Sequence, residues 1–183
     1  WRFVLLMVVA TVAYYPFSSN YATAYAGLEA YKEAKTVLPD FVTHWGFFLV
    51  LGLIWLTGEA VVQRRDREMP RWLDTVLPFV LTFAGVILLA GFMLKARVWV
   101  VAMPLAVVAF VLSMGRTLPP VRRMALLLLA LALAITMGVE VIRQKDDLGR
   151  MNTVFKFYLQ AWVLFGVSTA FGLAATLPRA LAW

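Results

Sequence analysis

Residues 143–162 read RQKDDLGRMNTVFKFYLQAW: two adjacent acids, four bases and several amides, all at the mouth of an apolar run that continues to residue 177 without another charge. Twenty or so apolar residues are what a helix needs to cross ~30 Å of hydrocarbon. The stretch is therefore the end of a loop and the entry of a membrane span. It differs from the rest of the chain in carrying a lysine and two amides past the helix start.

Working outward, the composition fits that reading. The chain has 183 residues, 63% of them hydrophobic and 15% charged, where soluble domains carry about 25% charged residues. A soluble core of this size cannot hide so much apolar surface, so the bilayer is the solvent. No cysteine is present and His44 is the sole histidine, which excludes disulfides, thiolate metal sites and multi-histidine sites. The net charge of +7 reads as helix-flanking Lys and Arg facing lipid head groups, not as a nucleic-acid footprint. The chain opens on Trp1 inside an apolar run, without the order of regions that marks a signal peptide, and reads as a fragment whose partners include the remainder of a longer chain.

Six continuous apolar segments, 1–17, 42–62, 73–94, 98–115, 124–142 and 154–177, predict an all-α, polytopic membrane protein with about six transmembrane helices in one domain. Alternating strands of a barrel are absent. The loops fall on two sides. One holds 63–72 and 115–123, rich in arginine; the other holds the 18–41 loop, the 95–97 turn and the 143–153 loop. Lys and Arg divide nine to eight between the sides. The two short Arg-rich loops decide the orientation, because the positive-inside rule acts on short loops near span ends. They are expected in the cytoplasm of a plasma-membrane protein, with 18–41 and 143–153 together outside.

Residues 21–35, YATAYAGLEAYKEAK, read as a short interfacial amphipathic helix, with Tyr21, Tyr25 and Leu28 at i, i+4 and i+7. Tyr21 and Tyr25 offer an aromatic platform for a sugar or lipid head group, or an interfacial belt. Asp40 and His44, also four apart, suit a local helix-start hydrogen bond. Charges at mid-membrane are costly, and this sequence places none there: Glu59, Asp74, Glu140 and Lys156 all lie within a turn or two of a span end.

The 143–162 stretch is the candidate site. Asn152, Lys156 and Gln160 follow one another at i, i+4 and i+8, forming a polar stripe that lies better against protein or a wet cavity than against lipid. Asp146, Asp147 and Arg150 precede it. Arg150 and Lys156 suit phosphate, the first as a bidentate donor and the second as a point charge. Asn152 and Gln160 suit the polar head group. Asp146 or Asp147 suits a general base or an oxygen ligand of a divalent cation; no cofactor motif stands out.

RMNTVFKFYLQAW, Arg150 to Trp162, resembles the signature of a large family of uncharacterised multi-pass membrane proteins, the YYY family, named after the Chlor_Arch_YYY domain. A weaker likeness covers YYPFSSNY (14–21) and KTVLPDFVTHWGFFLVL (35–51). In topology these proteins resemble GT-C type glycosyltransferases, which take a sugar from a polyprenyl-phosphate donor at the outer membrane face and carry their catalytic acid in a first outer loop. The resemblance implies a glycosyltransferase-like domain handling a polyprenyl-phosphate-linked sugar. The other reading is a non-catalytic membrane module that binds a lipid or lipid-linked sugar, or part of a transporter.

Overall fold

The structure, a computed structural model, describes residues 2–20, 27–66, 73–93, 95 and 97–182. Among these described residues six helices form: α1 (Arg2–Asn20), α2 (Leu38–Arg65), α3 (Leu73–Met93), α4 (Val98–Leu112), α5 (Pro120–Gly138) and α6 (Met151–Leu181). Each coincides with one of the apolar segments, and the fold is all-α. Prolines help set the starts. Pro39 sits in the first turn of α2 and Pro120 opens α5, where the missing N–H leaves no helical bond unmade. Helices α2, α5 and α6 are long and apolar enough to cross a membrane, and α1, α3 and α4 contribute shorter apolar stretches. At 1.5 Å per residue, α2 and α6 run to roughly 42 and 46 Å, so their ends project beyond the hydrocarbon.

Helices α2, α4, α5 and α6 pack as a ring of four neighbours, with α3 laid against α4. The side chains of residues 4–20 in α1 are exposed throughout. Inside the ring, Trp45, Phe48 and Phe165 join α2 to α6, with the Phe48 and Phe165 rings stacked 5.5 Å apart. Leu126, Leu129 and Leu133 of α5 fill the centre. Gly172 is what lets α2 and α6 approach so closely: a Cβ there would lie 2.0 Å from the Trp55 ring. Phe47, Phe79, Phe92 and Phe155 stay exposed, as side chains facing acyl chains do.

The expected amphipathic helix over 21–35 is corrected in its second half; residues 21–26, with Tyr21 and Tyr25, lie outside the described residues. Leu28–Ala30 is a strand, β1, paired antiparallel with β2 (Ile142–Gln144), so that Glu29 stands opposite Arg143. Tyr31 N–H extends the pairing to the Val141 carbonyl at 2.8 Å. Paired backbone and an Arg143–Glu29 bridge of 2.7 Å outweigh the helical spacing of the apolar side chains, a tertiary override of a weak local signal. The strand pair ties the 18–41 and 143–153 loops to one end of the bundle. At the other end, Arg65 reaches the Arg179 and Ala182 carbonyls and Arg123 the Gly115 carbonyl.

Candidate functional site

The loop between β2 and α6 turns through two residues of positive φ, Asp146 (61°) and Gly149 (62°). Gly149 takes this conformation without the steric penalty of a side chain, and its carbonyl accepts a 2.7 Å bond from Arg143. Asp147 then caps α6. Its Oδ1 accepts from Asn152 N–H (3.2 Å) and Nδ2 (3.1 Å), and its Oδ2 from Thr153 N–H (2.8 Å) and Oγ1 (2.7 Å). Burial pushes the Asp147 carboxyl up, but the bonds from Thr153 and Asn152 outweigh it and hold it below its ordinary value. Asp146 is exposed in the turn. Asp147 is thus committed to the helix start.

Arg150 turns inward from this cap. Its Nη1 donates to the Val139 carbonyl and to Glu140 Oε1, both at 2.8 Å, and its Nη2 donates to Thr36 Oγ1 at 2.6 Å. Its guanidinium lies over the Tyr31 ring, 4.9 Å from the centroid. Glu140 is 0% exposed and also accepts from Thr36 N–H (2.9 Å) and Oγ1 (2.7 Å). A fully buried carboxylate is tolerated because cation and hydroxyl meet it together. Lys35 joins the rim and donates to the Tyr31 carbonyl. Burial pushes its ammonium pKa down, partly offset by Glu140.

Arg150 and Thr36 stand at the head of a cavity of ≈ 790 Å³ between the first turns of α2 and α6. Its walls are mostly apolar, among them Phe41, Trp45, Phe155 and Leu159; Asp40 and His44 add polar groups along α2. Arg150 has five N–H donors, of which three are engaged within the protein. Asp40 and His44 do not hydrogen-bond to each other among the described residues; His44 instead packs against Trp45 and Tyr158. The arrangement can hold an apolar chain along its length and an anionic oxygen at its head.

The sequence-predicted residues divide here. Arg150 is in the cavity. Asn152, Lys156 and Gln160 are not: the middle of their stripe lies roughly 130° around α6 from the middle of the cavity-lining positions. Asn152 is held by Asp147, Lys156 donates to Gln144 Oε1 at 3.3 Å, and Gln160 is exposed. Thr36, Tyr31, Glu140 and Tyr158 were not singled out. Glu140 carried a signal, an acid closing an apolar span; the others are recognisable only through contacts across a hundred residues. Among the described residues no three or more His, Cys, Asp or Glu side chains cluster to hold a metal.

A second buried pair closes the opposite end. Glu59, 0% exposed, accepts from Arg122 Nη2 (2.6 Å), Gln63 Nε2 (2.8 Å) and Thr176 Oγ1 (2.7 Å). Arg122 Nη1 and Gln63 Oε1 lack a partner among the described residues.

Residues 1–165 match the model of a family described as Uncharacterized membrane protein (DUF2298). The chain belongs to that family. The DUF2298 match takes in the first five helices, both strands and the first half of α6, so both walls of the cavity lie inside it. No curated protein and no solved structure matches the chain.

Proposed function

We propose that this integral membrane protein binds a lipid with an anionic head group, of the polyprenyl-phosphate-sugar class, in the α2/α6 cavity. One observation carries the reading: an apolar trough with Arg150, which keeps unused N–H donors, at its head. Arg150 keeps two N–H groups for phosphate oxygens, and the aromatic walls accept an isoprenoid chain through burial alone. The orientation that goes with this reading puts loops 63–72 and 115–123 in the cytoplasm and the cavity on the outer face. Lys156, Asn152 and Gln160 are not needed for it.

The further reading, glycosyl transfer of the GT-C kind, is favoured by a separate observation. Asp40 lines the same cavity as Arg150 and is not engaged by another side chain among the described residues. It is better placed than Asp146 or Asp147 to orient or deprotonate an acceptor hydroxyl, or to give one ligand to a divalent cation whose remaining ligands come from substrate and water.

Binding of a polyprenyl phosphate and of the matching neutral polyprenol, measured on the protein in nanodiscs, tests the proposal. The phosphate should bind more tightly, and Arg150→Gln should weaken it about ten- to a hundredfold, the worth of one charge-assisted hydrogen bond. Because Arg150→Gln also strips Glu140 of its cation, Leu159→Trp provides the fold-neutral control: it fills the trough and leaves the ion pair intact. Equal binding of phosphate and polyprenol, or affinity unmoved by both variants, overturns the reading.

A further inference from the structure

A second cleft, ≈ 410 Å³ in volume, lies beside the cavity, and Thr36 lines both. Its walls are residues 32–37 and, across from them, Lys95 and Arg97 of the turn between α3 and α4. Four cations, Lys32, Lys35, Lys95 and Arg97, share this cleft with one carboxylate, Glu33. Glu33 is itself met by Arg143 at 3.1 Å. The cleft therefore keeps a positive excess.

The head of the cavity is different. Arg150 meets the buried Glu140 at 2.8 Å, so its charge is largely cancelled and it acts there as a hydrogen-bond donor. The unbalanced positive charge that a second anionic group would meet lies in the cleft. The helix ends agree. The N-terminus of α6 is capped by Asp147, whereas α2, which begins beside Thr36, has no side-chain cap. Burial and the Arg150 charge both depress the Lys35 pKa, a cost that a bound anion would relieve.

We infer that the cavity and the cleft form one composite site for a lipid whose head carries two linked phosphates. The apolar chain lies along α2 and α6, the first phosphate meets the remaining N–H groups of Arg150, and the second enters the Lys32, Lys35, Lys95 and Arg97 cleft. This rests on the lipid-phosphate reading above and deepens it: the ligand is a diphosphate-linked lipid rather than a monophosphate.

The test compares a polyprenyl diphosphate with the monophosphate of the same chain length, on the protein in neutral phosphatidylcholine nanodiscs. The wild type should prefer the diphosphate by at least about tenfold, the lower end for one charge-assisted contact. The double variant Lys95→Gln/Arg97→Gln, in exposed positions, should erase that preference while leaving monophosphate affinity within about twofold. Equal wild-type affinities, or a preference that survives in the double variant, would overturn the inference and leave monophosphate binding standing. If neither phosphate outbinds the neutral polyprenol, the underlying reading fails as well. Repeating the measurement with phosphatidylglycerol in the disc separates the two anion sources: the preference should persist, and its loss would mean the cleft serves bulk anionic lipid.

Discussion

The two ends of this bundle bury the same chemistry to different effect. At each, a glutamate with no exposed surface meets an arginine and a threonine hydroxyl: Glu59 with Arg122 and Thr176, Glu140 with Arg150 and Thr36. The first pair is sealed. Trp55 fills the space against Gly172, donates to Thr176 at 3.3 Å, and the Arg122 side chain keeps 5% exposure. The second opens on a large cavity, and Arg150 keeps 13%. A buried ion pair alone therefore does not mark a site. Donors left over at the head of an accessible space do.

The comparison breaks first, and with the largest effect, at the sealed end. Arg122→Ala should destabilise the protein by about 3–5 kcal/mol, because the buried Glu59 keeps its hydrogen bonds from Gln63 and Thr176 but loses its cation. Denaturant unfolding in detergent micelles measures it. Replacing both partners, Glu59→Gln with Arg122→Met, should recover most of that loss, and neither variant should alter lipid affinity in the folded fraction. A lipid-binding defect in a folded Glu59→Gln/Arg122→Met protein would make the two ends alike after all.

Asp147 tests whether the acid beside the open end is a cap or a base. Asp147→Ala should cost about 1 kcal/mol, the usual worth of a helix N-cap. The sign of its pH dependence follows from its lowered pKa. The contribution is fully present above the unfolded carboxylate value near 4 and is lost as pH falls through the lower folded value. Asp147→Asn keeps an acceptor and should remove that pH dependence with lipid affinity unchanged. If a transfer activity is assayed and Asp147→Asn abolishes it while the protein stays folded, the carboxylate is catalytic and the capping account is incomplete.

The smallest effects belong to the stripe. Lys156→Gln and Gln160→Leu should each shift stability by no more than about 0.5 kcal/mol, and polyprenyl phosphate affinity should stay within about twofold. A tenfold loss at Lys156, measured in the same nanodisc assay, would return that face of α6 to the site.

The stripe also shows where reading along the chain stops. Asn152, Lys156 and Gln160 were recognisable as one face of a helix because helical periodicity is local. Which neighbour that face meets depends on how α6 is rotated in the bundle, and packing of Phe165 against Trp45 and Phe48 fixes that rotation. Arg150 was legible because a cation at the mouth of an apolar run must find a partner. Glu140 and Thr36 as its partners were not, since Thr36 and Glu140 stand 104 residues apart.

By itself the sequence determined the solvent and the elements. Long uncharged runs can satisfy their backbone in hydrocarbon only as helices, so six helices and the sharing of one end by the 18–41 and 143–153 loops followed from composition and length. The β1–β2 pairing, the two buried ion pairs and the cavity were decided by the tertiary structure alone. Each depends on groups far apart in the chain meeting at hydrogen-bond distance, and the desolvation of a charge is offset only once that partner arrives. A glutamate near a span end looks the same in the sequence whether it will be sealed, like Glu59, or will share its arginine with an open cavity, like Glu140.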